Sequence, residues 1–376
     1  MKVGNFIKTN QYSYSSKDKW EYIYYLDTGN ITENRIDEIV KLNPLTDKIP
    51  SRAKRKVKKG NIIYSTVRPN QKHYGYVDKQ YDNLLVSTGF VVIDVNEDIA
   101  DGKYFYYWLT QEKNTNYLQT IAENTVATYP SIAPKDIENM SIELPLLDIQ
   151  RKIAKVLSNY DDLIENNNKR IKILEEMAQK IYKEWFVDFK YPGHETATFK
   201  DTELGKLVMP KKGKNITKAT IKEGNIPVVA GGLEPAYYHS VANTVSPVIT
   251  ISASGANAGY VKLYYEDIWA SDCSYIDNQM TPYVYYFYLY LKHNQIRVTN
   301  LQKGAAQPHV YPQDLATLKI MNIDENVIKE FNSIVTPLFE EIKNIILKNK
   351  VLQQTRDLLL PHLMSGEIDV DKLKIV

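Results

Sequence analysis

Apolar side chains between residues 146 and 186 recur at alternating three- and four-residue steps: Ile149, Ile153, Val156, Tyr160, Leu163, Ile164, Ile171, Leu174, Ala178, Ile181 and Trp185. This is the stripe of an amphipathic helix. Some forty residues at ~1.5 Å each extend ~60 Å, longer than an ordinary domain helix, so the apolar side needs a second helix to cover it. Val327, Phe331, Ile334, Leu338, Ile342, Ile345, Leu352 and Leu359 follow the same spacing and supply that partner. Pro337 is expected to bend or restart the second helix. The run Asn166-Asn167-Asn168 either puts an amide at the seam, where it fixes register at some cost in stability, or faces solvent.

The two stripes belong to an internal repeat. Residues 126–137, VATYPSIAPKDI, and 304–315, GAAQPHVYPQDL, align Pro130/Pro308, Pro134/Pro312 and Asp136/Asp314 at one offset of 178. The same offset carries Ile149, Ile153 and Ile164 onto Val327, Phe331 and Ile342. Upstream the offset drifts, as loops of unequal length require. IIYSTVRPNQKHYGYV at Ile62 resembles a shorter ITISASGANAGYV at Ile249, and KYFYYWL at Lys103 resembles PYVYYFYL at Pro282. The predicted fold is α/β (α+β), with two globular domains in pseudo-twofold arrangement separated by a long antiparallel two-helix coiled coil. Its boundaries are 1–145 for the first domain, 146–190 for the first helix, 191–322 for the second domain, and 323–376 for the second helix and tail. A rod of ~60 Å is of the order of one and a half to two turns of B-DNA, at roughly 34–36 Å per turn. A plain structural coiled coil displaying two domains is the alternative.

Length and composition agree with two cores: 376 residues and 43% hydrophobic content exceed what one compact core needs. The single Cys273 permits no internal disulfide and no multi-cysteine zinc site. MKVGNFIKTNQYSYSS lacks the apolar run of a signal peptide and no later run has the length of a membrane span, so a soluble, cytoplasmic protein with no membrane partner is expected. Motifs for chemistry are missing. The Gly-Lys pairs continue to Tyr104, Leu207 and Asn215 rather than to the Ser or Thr of a phosphate-binding loop. Asn43-Pro44-Leu45-Thr46 is a turn more than a base-holding methyltransferase loop. The six histidines show no metal-ligand spacing or nucleophile turn. Neither a catalytic residue nor a metal ligand is expected.

A net charge of +2 says little about partners, but the cations are clustered. Six of the eight residues from Arg52 to Lys59 are basic: Arg52, Lys54, Arg55, Lys56, Lys58 and Lys59. Lys206, Lys211, Lys212, Lys214 and Lys218 form a second cluster at the start of the second repeat. Such clusters either neutralise phosphates, positioning DNA without reading it, or are solvated patches. Base reading needs paired donors and acceptors on loops. Arg68, Asn70, Gln71, Lys72 and His73 supply them in the first repeat, and Ser252, Ser254 and Asn257 in the second. A second recurrent loop adds Thr125, Thr128 and Tyr129, with Lys303, Gln307 and His309 as counterparts. Ordinary polar loops remain the alternative for each. Among the 29 tyrosines, the run Tyr283, Tyr285, Tyr286, Tyr288, Tyr290 interleaves with Val284, Phe287, Leu289 and Leu291. That continuous apolar block predicts a buried helix rather than a stacking platform.

Nearly the whole chain resembles the specificity subunits of type I restriction-modification systems. LPLLDIQRKIAKVLSNYDDLIENNNKRIKILEEMAQKIYKEWFVDF is similar to the family's central spacer, and RDLLLPHLMSGEIDV at Arg356 to its C-terminal spacer. DTELGKL at Asp201 resembles the opening of the second recognition domain, and GNIIYSTVRP at Gly60 a recurrent recognition-domain strand and loop. The resemblance implies two target-recognition domains, each reading one half of a bipartite, asymmetric double-stranded DNA sequence, with the helices fixing the gap. It implies no cofactor and no chemistry on this chain. Two modification subunits docked on the helical regions would methylate adenine with S-adenosylmethionine, and restriction subunits would translocate and cut DNA with ATP and Mg. Recognition domains vary with their target, so no base-contacting residue carries over, and Glu123-Asn124-Thr125-Val126 lacks the glycine found as Gly304. A self-contained DNA methyltransferase or nuclease, and a non-catalytic protein binding another macromolecule, are the alternatives.

Overall fold

The computed structural model describes residues 1–15, 17–125, 129–196, 200–304 and 307–373. The chain forms two compact units, Met1–Glu165 together with Lys350–Val376, and Asn166–Asn349. Each holds one domain and part of both long helices, so the units cut across the helical segments that the apolar stripes predict.

The first unit is built on a four-stranded antiparallel sheet in the order Ile7–Thr9, Phe90–Val95, Ile62–Ser65, Tyr74–Tyr76. Its two central strands are almost continuously apolar and buried, as strands covered on both faces must be. Register is set by Phe90 opposite Ser65 and Ile93 opposite Ile62. A second sheet places Val40–Leu42, Ile23–Leu26, Leu84–Ser87 and Ala53–Lys56 side by side. Helix Gly102–Leu109 starts where the Asp101 carboxylate accepts the Tyr104 amide at 2.8 Å, a side-chain N-cap. Tyr104, Phe105, Tyr106, Tyr107, Trp108 and Leu109 are all buried on it.

The second unit repeats the pattern. Its main sheet runs Lys211–Lys212, Cys273–Asp277, Val248–Ser252, Val261–Tyr264, the same order and the same antiparallel pairing. Its smaller sheet, Tyr237–His239, Ile226–Val229, Trp269–Ala270, keeps one antiparallel and one parallel pair, as the first unit does between Val40–Leu42, Ile23–Leu26 and Leu84–Ser87. The tyrosine-rich segment is helix Val284–His293, buried from Val284 to Leu291 as the apolar block requires. Gly4 and Gly205 serve one purpose in the two copies. A Cβ on Gly4 would stand 3.2 Å from the Glu138 backbone, and one on Gly205 would stand 2.7 Å from the Ala316 Cβ. Glycine spares both openings a crowded contact with the short helices Pro134–Glu138 and Pro312–Ala316, most sharply at Gly205, where something would have to shift.

The long helices are Leu147–Phe186 and Glu325–Ser365. Inside each unit they run antiparallel. In the first, Lys152 pairs with Asp371 and Asp161 with Arg356. In the second, Asn167 meets Asn349, Arg170 bonds Glu341 at 2.8 Å, and Tyr182 packs on Phe331. Asn167 is buried, and so belongs to the seam rather than to the solvated face. The expected restart at Pro337 does not occur, because Glu325–Ser365 is one helix. Val335, Phe339 and Ile342, all fully buried, hold the turns on both sides of the proline against the second unit's core, which offsets its missing N–H.

Candidate nucleic-acid interface

Within each unit the two recurrent loops lie side by side. In the first, the Arg68 amide donates to the Pro130 carbonyl at 3.0 Å, the Ile132 amide to Thr66 at 2.8 Å, and Val67 forms an isolated bridge with Ser131. In the second, Gly255 donates to Pro308 at 3.1 Å, Val310 to Ala253 at 3.0 Å, and Ser254 bridges His309. Ser65/Ser252, Arg68/Gly255, Lys72/Gly259 and His73/Tyr260 share an offset of 187, so this loop has the same length in both domains. The shorter second loop read from the sequence is corrected: the missing residues lie beyond the following strand, between Tyr264 and Cys273. Sequence groups the loops by likeness; the backbone hydrogen bonds join them into one surface.

Two loop positions are left-handed in both copies. The second domain fills them with glycine, Gly255 at φ +78° and Gly259 at φ +84°, whereas the first has Arg68 at φ +46° and Lys72 at φ +56°. A side chain in that region costs roughly 1–2 kcal/mol per residue. Lys72 has an internal reason to be there, since its ammonium lies 3.1 Å from Glu33 and 3.2 Å from Glu112. Burial pulls that ammonium down, and the two carboxylates outweigh it, holding it above its ordinary range. Arg68 is exposed and makes no side-chain hydrogen bond or ion pair among the described residues.

The other candidates divide by whether the fold uses them. Arg55 is half-buried and donates to the Asn10 side chain and the Phe90 carbonyl, and burial lowers its pKa. Lys56 pairs with Asp18 at 2.5 Å and lies over the Trp20 ring, while Lys58 pairs with Asp94 at 2.9 Å. The His73 Nδ1 is 2.6 Å from the Ile31 carbonyl. Ser252 is buried and donates to Gly231 at 3.0 Å, Ser254 donates to the Asp272 carboxylate, and Lys303 pairs with Asp314 at 2.5 Å. Asn257 is half-buried. Lys54, Lys59, Asn70, Gln71, Tyr129, Lys211, Lys212, Lys214 and Gln307 are exposed. His309 is half-exposed and stacks on Tyr311 with the rings 12° from parallel. Thr128 lies outside the described residues. A partnered lysine already has its charge met by a carboxylate, so the unpaired ones offer the stronger attraction to phosphate.

Two polar groups beside these loops are not singled out by the sequence. Gln119, on helix Glu112–Thr125, accepts the Asn70 amide at 3.1 Å and donates to Glu123 at 2.7 Å. Asp272, eighteen residues away in the bend before strand Cys273–Asp277, accepts from the Ser254 hydroxyl. The amphipathic period of residues 112–125 could have pointed to Gln119; nothing local points to Asp272. Among the described residues, no group of three or more His, Cys, Asp and Glu side chains is placed to hold a metal ion. No helix among them is long and apolar enough to cross a membrane.

A family model described as the type I restriction modification DNA specificity domain matches residues 2–176 and again 195–352. The specificity subunit of the HindI type I restriction enzyme of Haemophilus influenzae is 34% identical over 44% of this chain, which spans 36% of that protein's length. The MjaIX specificity subunit of Methanocaldococcus jannaschii is 27% identical over 94% of this chain and 85% of its own length. Among solved structures, the S subunit of a type I restriction-modification system from M. genitalium shares the fold. It has a TM-score of 0.58 at 16% identity, over 96% of this chain and 95% of that one. With the duplicated domain and the duplicated loop pair matched twice by one family model, the chain belongs to the type I restriction modification DNA specificity family.

Proposed function

We propose that this chain is the non-catalytic DNA-reading subunit of a type I restriction-modification complex. The domain within residues 1–145 reads one half of a bipartite double-stranded target, and the domain within 191–322 reads the other. The helical segments 146–190 and 323–376 fix the gap and dock two modification subunits, which supply S-adenosylmethionine-dependent adenine methylation. Restriction subunits supply ATP- and Mg-dependent translocation and cleavage. The complex acts in the cytoplasm.

The observation that carries this reading is the loop pair. One backbone arrangement occurs in both domains, tied by equivalent hydrogen bonds, yet its side chains differ at most positions. A fixed frame with variable side chains suits two readers of unlike sequence, and unlike readers make the target asymmetric. Exposed Lys54, Lys59, Lys211, Lys212 and Lys214 would meet phosphates, while Arg68, Asn70, Gln71, Tyr129, Gln307 and His309 would face base edges.

Mapping N6-methyladenine across the genome of cells carrying the chain, and of cells lacking it, tests the reading. A two-part motif with a constant gap, absent without the chain, is expected. Methylation lacking a defined two-part motif, or unchanged when the chain is removed, overturns it.

A further inference from the structure

The two domains fill one strained position differently, and only one of the two choices is explained by the fold. At the left-handed position after the Ser65 strand, and at its counterpart after the Ser252 strand, backbone geometry asks for glycine. The second domain complies with Gly255; the first places Arg68 there at φ +46°. Space does not force the difference, since a Cβ on Gly255 would meet nothing within 4 Å. Lys72, the other non-glycine residue at a left-handed position in this turn, is held by Glu33 and Glu112. Arg68 has no such partner among the described residues, and its backbone is pinned by the Pro130 carbonyl, which fixes the point from which the side chain projects.

Resting on the proposed DNA-reading function, we infer that Arg68 reads a guanine in the half-site of the first domain, its two guanidinium donors meeting O6 and N7. A phosphate contact needs no particular backbone point and is as well made by lysine. A planar fork on a rigidly placed turn suits a bidentate base edge. The flanking Asn70 and Gln71 are exposed amides on the same 3-10 turn, so the guanine has readable neighbours. Gly255 presents no side chain, so the second half-site has no equivalent guanine contact from this position.

The test is the methylated motif of cells carrying the chain with Arg68→Gly or Arg68→Lys in place of the wild type, beside the thermal midpoint of each full-length variant. Glycine relieves the turn, so its midpoint is expected to hold or rise by up to about 3 °C. Both variants are expected to lose one guanine from the first half of the motif, with the second half and the gap unchanged. An unchanged motif in Arg68→Gly overturns the inference. So does methylation weakened evenly at every site and restored by Arg68→Lys, the behaviour of a phosphate contact. A wild-type chain that gives no two-part motif overturns the function itself, a failure visible before any variant is made.

Discussion

Asn167 and Asn349 face each other across the two long helices of the second unit, the Asn167 amide donating to the Asn349 side-chain oxygen at 2.7 Å. The Asn349 amide then donates to Asn168 at 2.9 Å. Both Asn167 and Asn349 are buried, and among the described residues the Asn167 side chain has Asn349 as its partner. Asn349→Leu alone should cost about 1–3 kcal/mol, because it strands a buried amide. Asn167→Leu with Asn349→Leu should recover most of that loss while removing the pair that selects register. Denaturant melts of the two variants check the order: the double variant must be the more stable.

Asp161 is the shared acceptor of the first unit, taking hydrogen bonds from Arg356 on the other long helix and from the Tyr107 hydroxyl. Burial and the adjacent carboxylate keep the Tyr107 phenol far above its usual range, so it remains a donor at any working pH. Asp161→Ala should cost about 2–3 kcal/mol, leaving Arg356 only Asp357, whereas Tyr107→Phe should cost about 1 kcal/mol. Unfolding curves in which the tyrosine variant loses more would contradict this assignment.

Acid should release Lys56 from Asp18. The Lys56 hydrogen bond, then the Ser15 amide, hold the Asp18 carboxyl below its ordinary value of 3.8. A folded-state value that is lowered gives a stabilisation present above pH 3.8 and lost as pH falls through the lowered value. Wild type should therefore exceed Asp18→Asn in thermal midpoint at neutral pH, with the gap closing only below about pH 4. A difference that persists at pH 2, or closes near pH 6, would contradict it.

Cations that the fold leaves unpaired should govern the salt dependence of DNA binding. Lys214→Ala should reduce the slope of log affinity against log salt by about 1, because one fewer counterion is released. Lys58→Ala should leave it nearly unchanged, since Asp94 already meets that charge. Fluorescence titrations of a duplex carrying the methylated motif, over a range of salt, separate the two.

The long helices are legible because their apolar period persists through forty residues in each copy, and Ile153 and Phe331 keep their places although identity is lost. The buried tyrosine helices are legible for a similar reason: no polar residue interrupts Val284 to Leu291. The register pair is half legible, as Asn167 stands in a run of amides while Asn349 sits unremarked among Lys348 and Lys350. What the side chains of the reading loops do was not legible. Lys58 and Lys59 are neighbours of one type, and only folding brings Asp94 to the first and, among the described residues, no carboxylate to the second. The strain at Arg68 was equally silent, because a backbone angle leaves no mark on composition.

The first unit is discontinuous: Leu363 and Val370 pack in the same core as Val3, Phe6 and Tyr104. Residues 350–373 leave the ribosome after everything else in that unit, and after all of Asn166–Asn349. The second reader can therefore close during synthesis while the first waits, its helix Leu147–Phe186 still uncovered along the turns that Leu359 and Leu363 will occupy. Of these two units the one begun first is the later to be completed, so a nascent chain does not present both readers in full until helix Glu325–Ser365 and Val370 have emerged.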